Sequence, residues 1–363
     1  METFPRDRNR GLNTVSTQVR VTNLWRISRQ LHSHIDIAEP IAQAIASNKP
    51  VVALETTIVT HGMPYPENER VALEVEEIVR QQGAVAATIG VVNGKIKVGL
   101  DSKSLSALAE PESKKMKISK RDLPYALSRG LTGGTTVAAT VFVSKLVGID
   151  VFVTGGIGGV HRDVNESMDV SADLLELSRN PVLVVSAGVK SILDIGRTLE
   201  YLETCGVCVV TYGEGAEFPA FFSRKSGFKT PYNVSNEEEA ASLIYKSQQL
   251  HSKSGILLAV PIPEYASLEA KKIQDVIEEA LSKAKKDNIS GKAVTPFLLD
   301  RVRENTAGES LASNMILIKN NAQIGSRIAV KLSEMKKYVC AGGAMLDILM
   351  YPTVAAEVDC TTE

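Results

Sequence analysis

The densest run of chemistry-bearing residues lies between Val151 and Leu174, VFVTGGIGGVHRDVNESMDVSADL. Val151-Phe152-Val153-Thr154 is β-branched or aromatic, which predicts a short buried strand ending at Gly155. Gly155, Gly156, Gly158 and Gly159 strip the next loop of Cβ atoms, so backbone amides could approach a ligand closely and positive φ is permitted. His161, Arg162, Asp163, Glu166 and Asp169 follow before Ser171-Ala172-Asp173 opens a helix. Polar groups gathered just past the C-terminal end of a strand are where open α/β sheets bind ligands. His161 stands three residues after Gly158 and breaks a G-x-G-x-x-G dinucleotide frame, and the chain holds no G-x-x-x-x-G-K-[ST] phosphate loop. On these residues alone a purely structural glycine turn stays open.

Two further residues could act with this loop. Glu55 directly follows the apolar strand Val51-Val52-Ala53-Leu54, and a carboxylate there either pairs in a sheet's mouth or faces solvent at an edge. Lys190 ends the turn Ser186-Ala187-Gly188-Val189-Lys190, which follows the buried strand Val182 to Val185 and enters a helix running to about Thr204. It therefore stands at the mouth of the same sheet edge as Thr154, although most lysines at such positions are surface residues. The basic run Lys114, Lys115, Lys117, Lys120 and Arg121 has the composition of a solvated face. A loop from Gly130 to Thr136 opens the apolar helix Val137 to Val147, whose N-terminal amides suit an anion.

Strands and helices alternate along the rest of the chain. An amphipathic helix spans Glu67 to Gln82, two strands flank the hairpin signal Asn93-Gly94, and a helix covers Asp173 to Arg179. A strand at Val207 to Thr211, a helix at Glu237 to Gln249, a strand at Ile256 to Val260 and three more helices follow, with Asn314 early in the last. This pattern predicts one α/β domain with a largely parallel central sheet flanked by helices, plus a β-hairpin.

With 363 residues, 44% apolar and 23% charged, the chain is long enough to bury a substantial core. A net charge of -1 gives no whole-protein case for nucleic acid, and no apolar run reaches membrane-spanning length. Four cysteines suit a reducing intracellular compartment, and Cys205-Gly-Val-Cys208 lacks the partners that zinc or redox chemistry would need, so core packing is its reading. Residues 1–36 carry Arg6, Arg8, Arg10, Arg20, Arg26 and Arg29 and have the composition of a flexible or targeting arm. Arg26-Ile27 with His34-Ile35 is similar to an N-terminal peroxisomal signal, with a spacer one residue too long. Residues 336–363 form an extension without a readable role.

Long ordered motifs add a resemblance. The stretch 151–174, ALETTIVTHGMPYPEN at 53–68, SKRDLP at 119–124, GGTTVAAT at 133–140 and SAGVKSILDIGRTLEYLET at 186–204 resemble the pseudouridine-5'-phosphate glycosidase family, across residues 37–335. That resemblance implies cleavage of the C–C bond between ribose C1' and uracil C5 in pseudouridine 5'-phosphate. A paired-carboxylate mechanism supplies only a short-lived oxocarbenium ion, whereas a lysine joined to the ring-opened sugar supplies an imine as electron sink.

Carried over position by position, the resemblance makes Lys190 the nucleophile and Glu55 the proton donor. Lys190 must shed its proton to attack, which desolvation and a neighbouring cation favour; Lys117 is the first candidate for that cation. Lys117 also matches a substrate-contacting lysine, and Val137, Ser171, Ala172 and Asp173 match substrate-binding positions. Thr154, His161 and Asn314 are further pocket assignments, His161 being equally readable as a loop anchor. Asp169 matches the ligand of a divalent metal, typically manganese, with water filling the other positions; it should lie outside the helix that Ser171 caps. The resemblance further implies a homotrimer and a separate pseudouridine kinase that supplies the phosphorylated substrate. The competing functions are another nucleoside- or sugar-phosphate hydrolase and a catalytically silent phosphate-binding protein.

Overall fold

The computed structural model describes residues 34–342 apart from 113 and 290–292; most of the N-terminal arm, with Arg26-Ile27, and residues 343–363 of the C-terminal extension lie outside the described residues. Among the described residues eleven strands form one sheet. They are β1 (Ile35–Ile37), β2 (Val51–Leu54), β3 (Val85–Val92), β4 (Lys95–Val98), β5 (Met116–Ile118), β6 (Gly133–Thr135), β7 (Val151–Val153), β8 (Leu183–Ser186), β9 (Cys208–Tyr212), β10 (Tyr232–Val234) and β11 (Ile256–Ala259). Their order is β1-β4-β3-β2-β7-β8-β11-β9-β10, with β6 on β3 and β5 on β6. All pairings are parallel except β3 with β4 and β3 with β6, so the sheet is largely parallel with one hairpin at Asn93-Gly94, where both residues take positive φ.

Helices cover the sheet, so β2, β7, β8 and β11 are buried along their whole length and appear in the sequence as continuous apolar runs. Register then sets the site. Leu54 pairs with Val153, and Val153 with Val185, so the chain leaves three adjacent strands at one level, at Glu55, Thr154 and Ser186. Glu55 is therefore in the mouth of the sheet, since β2 lies between β3 and β7 and is no edge.

Three local expectations change. The basic run and the loop before Val137 contain β5 and β6; the Gly-Gly-Thr of β6 has no strand signal, and it joins the sheet because β3 is long enough to receive it, with β5 added on β6. The turn at Lys190 does not enter a helix directly: that helix starts at Ile195, capped by Asp194, whose carboxylate accepts from the Arg197 amide at 3.0 Å. The helix expected at Asp173 to Arg179 is shorter, Ala172–Leu177. Cys205 caps the preceding helix and Cys208 begins β9; burial pushes the Cys208 thiol up, as suits a packing residue.

Candidate active site

Glu55 and Thr154 meet at the centre of the sheet's C-terminal edge. The Thr154 hydroxyl donates to Glu55 Oε1, and Thr154 itself is buried. Burial pushes the Glu55 carboxyl above its ordinary range, against the Lys190 ammonium, the Thr154 hydrogen bond and Lys117, which pull it down; Asp173 adds to the rise. The charges of Lys190, Lys117 and Asp173 thus all act on Glu55. A carboxyl that keeps its proton to higher pH beside an amine is equipped to donate that proton.

Lys190 is half-buried on a segment laced to the glycine loop. Its backbone N–H donates to Ile157 O at 3.1 Å, Ile157 donates to Gly188 O at 3.0 Å, and Asp194 donates to Val160 O at 2.9 Å. These bonds continue the pairing of β7 and β8 beyond the strands, which is why a residue four positions past β8 stays in register with the site.

Asp173 ties that loop to a helix. Its Oδ1 accepts from the Ala138 amide at 2.9 Å and its Oδ2 from the Gly158 amide at 2.8 Å. Ser171 caps the helix Ala172–Leu177, accepting from the Asp173 amide at 3.2 Å, and its own N–H donates to Gly159 O at 3.0 Å. Thr136 caps Val137–Val147, so Asp173 and Thr136 take two of the first-turn amides that begin with buried Val137. None of Gly155, Gly156, Gly158 or Gly159 has positive φ. They make room for the protein's own side chains: a Cβ on Gly156 would lie 2.6 Å from the Phe221 ring, and one on Gly158 2.2 Å from Ser171 Oγ. Asp173→Ala, which strands two buried amides, is expected to lower stability by about 3 kcal/mol; an unchanged urea midpoint would contradict this role.

Lys117 lies on β5, opposite Gly134 of β6, and its charge acts on both Glu55 and His61. His61, not singled out by the sequence, sits on a π-helical turn, Ile58–Gly62, four residues past Thr57. Burial first and Lys117 second hold its imidazole below the usual histidine range, and its Nδ1 is 2.7 Å from Thr60 Oγ1. The available signal was proximity to Glu55 in the chain and a turn of a type that recurs at functional sites. Lys120 is instead structural, 2.7 Å from buried Glu176 and 4.8 Å over the Phe142 ring.

Asp169 lies outside the helix, partly exposed, with Oδ2 3.7 Å from His161 Nε2, while the His161 amide donates to Asp169 O at 3.0 Å. His161 is thus both a loop anchor and a neighbour of the carboxylate. Among the described residues no group of three or more His, Cys, Asp or Glu side chains is arranged to hold a metal. A lone accessible carboxylate beside one imidazole fits a hard ion that keeps most of its water. Asn314 is buried on the long helix Glu309–Gly342, its Oδ1 unpartnered and facing Gly155, where a Cβ would lie 3.3 Å away. One cavity, lined by Leu54, Ile58, Val71, Val75 and Ile318, reaches Glu55 from the apolar side; a second joins His61, Arg303 and Asn314. Lys190 and Asp169 border neither. Among the described residues no helix is long and apolar enough to cross a membrane.

The chain is similar to several known proteins. A pseudouridine-5'-phosphate glycosidase of Caldanaerobacter subterraneus is 50% identical over 307 residues, 85% of this chain and 99% of that protein. One from Arabidopsis thaliana is 48% identical over 324 residues, 88% and 98% of the two chains. A pseudouridine-metabolizing bifunctional protein of Schizosaccharomyces pombe is 49% identical over 307 residues, 84% of this chain but 41% of that one. The crystal structure of the prealnumycin C-glycosynthase AlnA with ribulose 5-phosphate superposes with a TM-score of 0.77 at 34% identity, over 84% of this chain and 99% of that one. An indigoidine synthase A-like protein of Thermotoga maritima gives 0.75 at 36% identity, over 83% and 97%. The family model described as Indigoidine synthase A like protein matches residues 40–331. By that match and by the identity of its relatives, the chain belongs to the indigoidine synthase A-like family, and within it to the pseudouridine-5'-phosphate glycosidases.

Proposed function

We propose that this protein cleaves the C1'–C5 bond of pseudouridine 5'-phosphate with water, reversibly, to uracil and ribose 5-phosphate. The observation that carries this reading is a half-buried carboxyl, pushed above its ordinary range by desolvation, within the field of a lysine at the mouth of one sheet. Relatives named for this reaction support the substrate, and a neighbour named as a C-glycosynthase and crystallised with ribulose 5-phosphate supports a pentose phosphate and a carbon–carbon glycosidic bond.

In the proposed sequence the sugar ring opens and C1' exchanges its bond to O4' for one to the Lys190 nitrogen. When the C1'–C5 bond breaks, its electron pair remains on C5, which takes the proton from Glu55, and the nitrogen lone pair forms the C1'=N double bond. Water then hydrolyses the imine to ribose 5-phosphate and the free amine. Lys117 binds phosphate, Val137, Ser171 and Ala172 contact ribose oxygens, and Asp173 holds the helix start and glycine loop that carry them, while Thr154, His61, His161 and Asn314 are further neighbours of the substrate. Asp169, with His161 beside it, would hold a manganese ion that polarises a uracil carbonyl when bound. A homotrimer and a separate pseudouridine kinase belong to the same reading.

The test is uracil release from pseudouridine 5'-phosphate and from uridine 5'-phosphate, with and without manganese. The reading expects release from the first only, with a manganese dependence that Asp169→Ala removes. Release from uridine 5'-phosphate would identify a C–N glycosidase instead, and an unaltered manganese response in the variant would remove Asp169 as ligand.

A further inference from the structure

Asn321 is fully buried in the middle of the long helix Glu309–Gly342, and its amide is spent on the active site. Nδ2 donates to Thr154 O at 2.9 Å, with Gly155 O at 3.4 Å. The helix presents one face here, since Asn314, Leu317, Asn321 and Gly325 recur at helical spacing. It lies hard on β7: a Cβ on Gly325 would fall 2.4 Å from Val153 Cγ2. Burying an asparagine costs free energy unless its hydrogen bonds are made, and Asn321 Oδ1 is left without a partner. The side chain is therefore kept in place by what Nδ2 holds.

Nδ2 holds the peptide at which β7 ends. The Thr154 N–H already donates to Val185 O at 3.0 Å, and Gly155 O already accepts from Ala187 at 2.8 Å. Sheet bonds thus fix the peptides before and after the Thr154-Gly155 peptide, and Asn321 fixes the Thr154 carbonyl between them. Threonine is stiff at χ1, so a fixed backbone aims its hydroxyl, and that hydroxyl donates to Glu55 Oε1. In a protonated carboxyl the carbonyl oxygen is the stronger acceptor, so the oxygen bonded by Thr154 is the one without the acid proton.

Resting on the reading of Glu55 as proton donor, we propose that Asn321 is a positioning residue: through Thr154 it keeps Glu55 Oε1 occupied, so the proton for the uracil carbon is carried on Oε2. The charged groups acting on Glu55 are Lys190, Lys117 and Asp173, all on other elements. Variants at 321 leave these in place and remove the Nδ2 bonds to Thr154 O and Gly155 O.

The test compares Asn321→Leu, which keeps the branched skeleton, and Asn321→Ser, which keeps polarity, with Thr154→Val. Each 321 variant is expected to lower kcat about tenfold with KM within about twofold. The Thr154 hydrogen bond holds the Glu55 carboxyl down, so its loss lets the acid form persist to higher pH and moves the basic limb of the kcat profile upward. Thr154→Val should move that limb equally, and the double variants should move it no further. A kcat loss without displacement of the limb, or displacements that add, would overturn the inference. Infrared titration of the Glu55 carboxyl band, identified by its loss in Glu55→Gln, gives the same comparison without turnover. A wild-type protein that releases no uracil would therefore refute the proposed function, while the titration still decides the role of Asn321.

Discussion

Lys190→Ala is expected to lower uracil release from pseudouridine 5'-phosphate by about 10⁴-fold or more, because no other group supplies the electron sink that a carbon leaving group requires. Lys190→Arg should be equally inactive: it keeps the positive charge, but a guanidinium stays protonated and does not form the imine. Steady-state and single-turnover assays of both variants check this. Activity in Lys190→Arg near the wild-type level would mean that charge alone is used at this position. The backbone around Lys190 is held by bonds from its own N–H to Ile157 and from Leu193 to its carbonyl, neither of which involves the side chain. The substitutions should therefore leave the loop and the fold intact, and unfolding midpoints close to wild type would accompany the loss.

Glu55→Gln is expected to lower kcat by about 10²- to 10⁴-fold, the usual worth of a positioned proton donor. It should still let ribose 5-phosphate attach to Lys190, since proton delivery to uracil C5 is a separate step. The variant also has a stability signature. Burial raises the Glu55 carboxyl in the folded state above its ordinary value of 4.5, so the folded protein binds a proton more tightly than the unfolded chain does. That contribution is present at low pH and is lost as pH rises through the folded value. Glutamine does not ionise, so the variant should match wild type near pH 4 and exceed it at pH 8, by about 2 °C or more in Tm. Equal melting temperatures at both pH values would show that the carboxyl is solvated.

Much of this was legible in the chain because the strands that matter are buried on both faces. Val51–Leu54, Val151–Val153 and Leu183–Ser186 stand out as apolar runs, and the residues that follow them in the chain, Glu55, Thr154 and the turn to Lys190, are those brought together. What the residues could not convey was register. Nothing in the local pattern says that Leu54 lies beside Val153, which is what turns a carboxylate after a strand into one beside Thr154. The short strand Gly133–Thr135 was hidden because its pairing comes from β3 and not from its own propensity. The glycine loop suggested a ligand cradle, yet its missing Cβ atoms accommodate Phe221, Ser171 and Thr198. Asn321 was invisible for a similar reason. It is one of three asparagines between 314 and 321, and only the helix's seat on β7 distinguishes it from Asn320.

The central claim, that Lys190 bonds covalently to the sugar, is tested most directly by incubating the protein with ribose 5-phosphate, reducing with borohydride and mapping the modified peptide by mass spectrometry. The account predicts that the peptide containing Lys190 gains the mass of ribose 5-phosphate less one oxygen atom, in wild type and in Glu55→Gln alike. An unmodified Lys190 in protein that is turning over, or an adduct on Lys117 in its place, would contradict it.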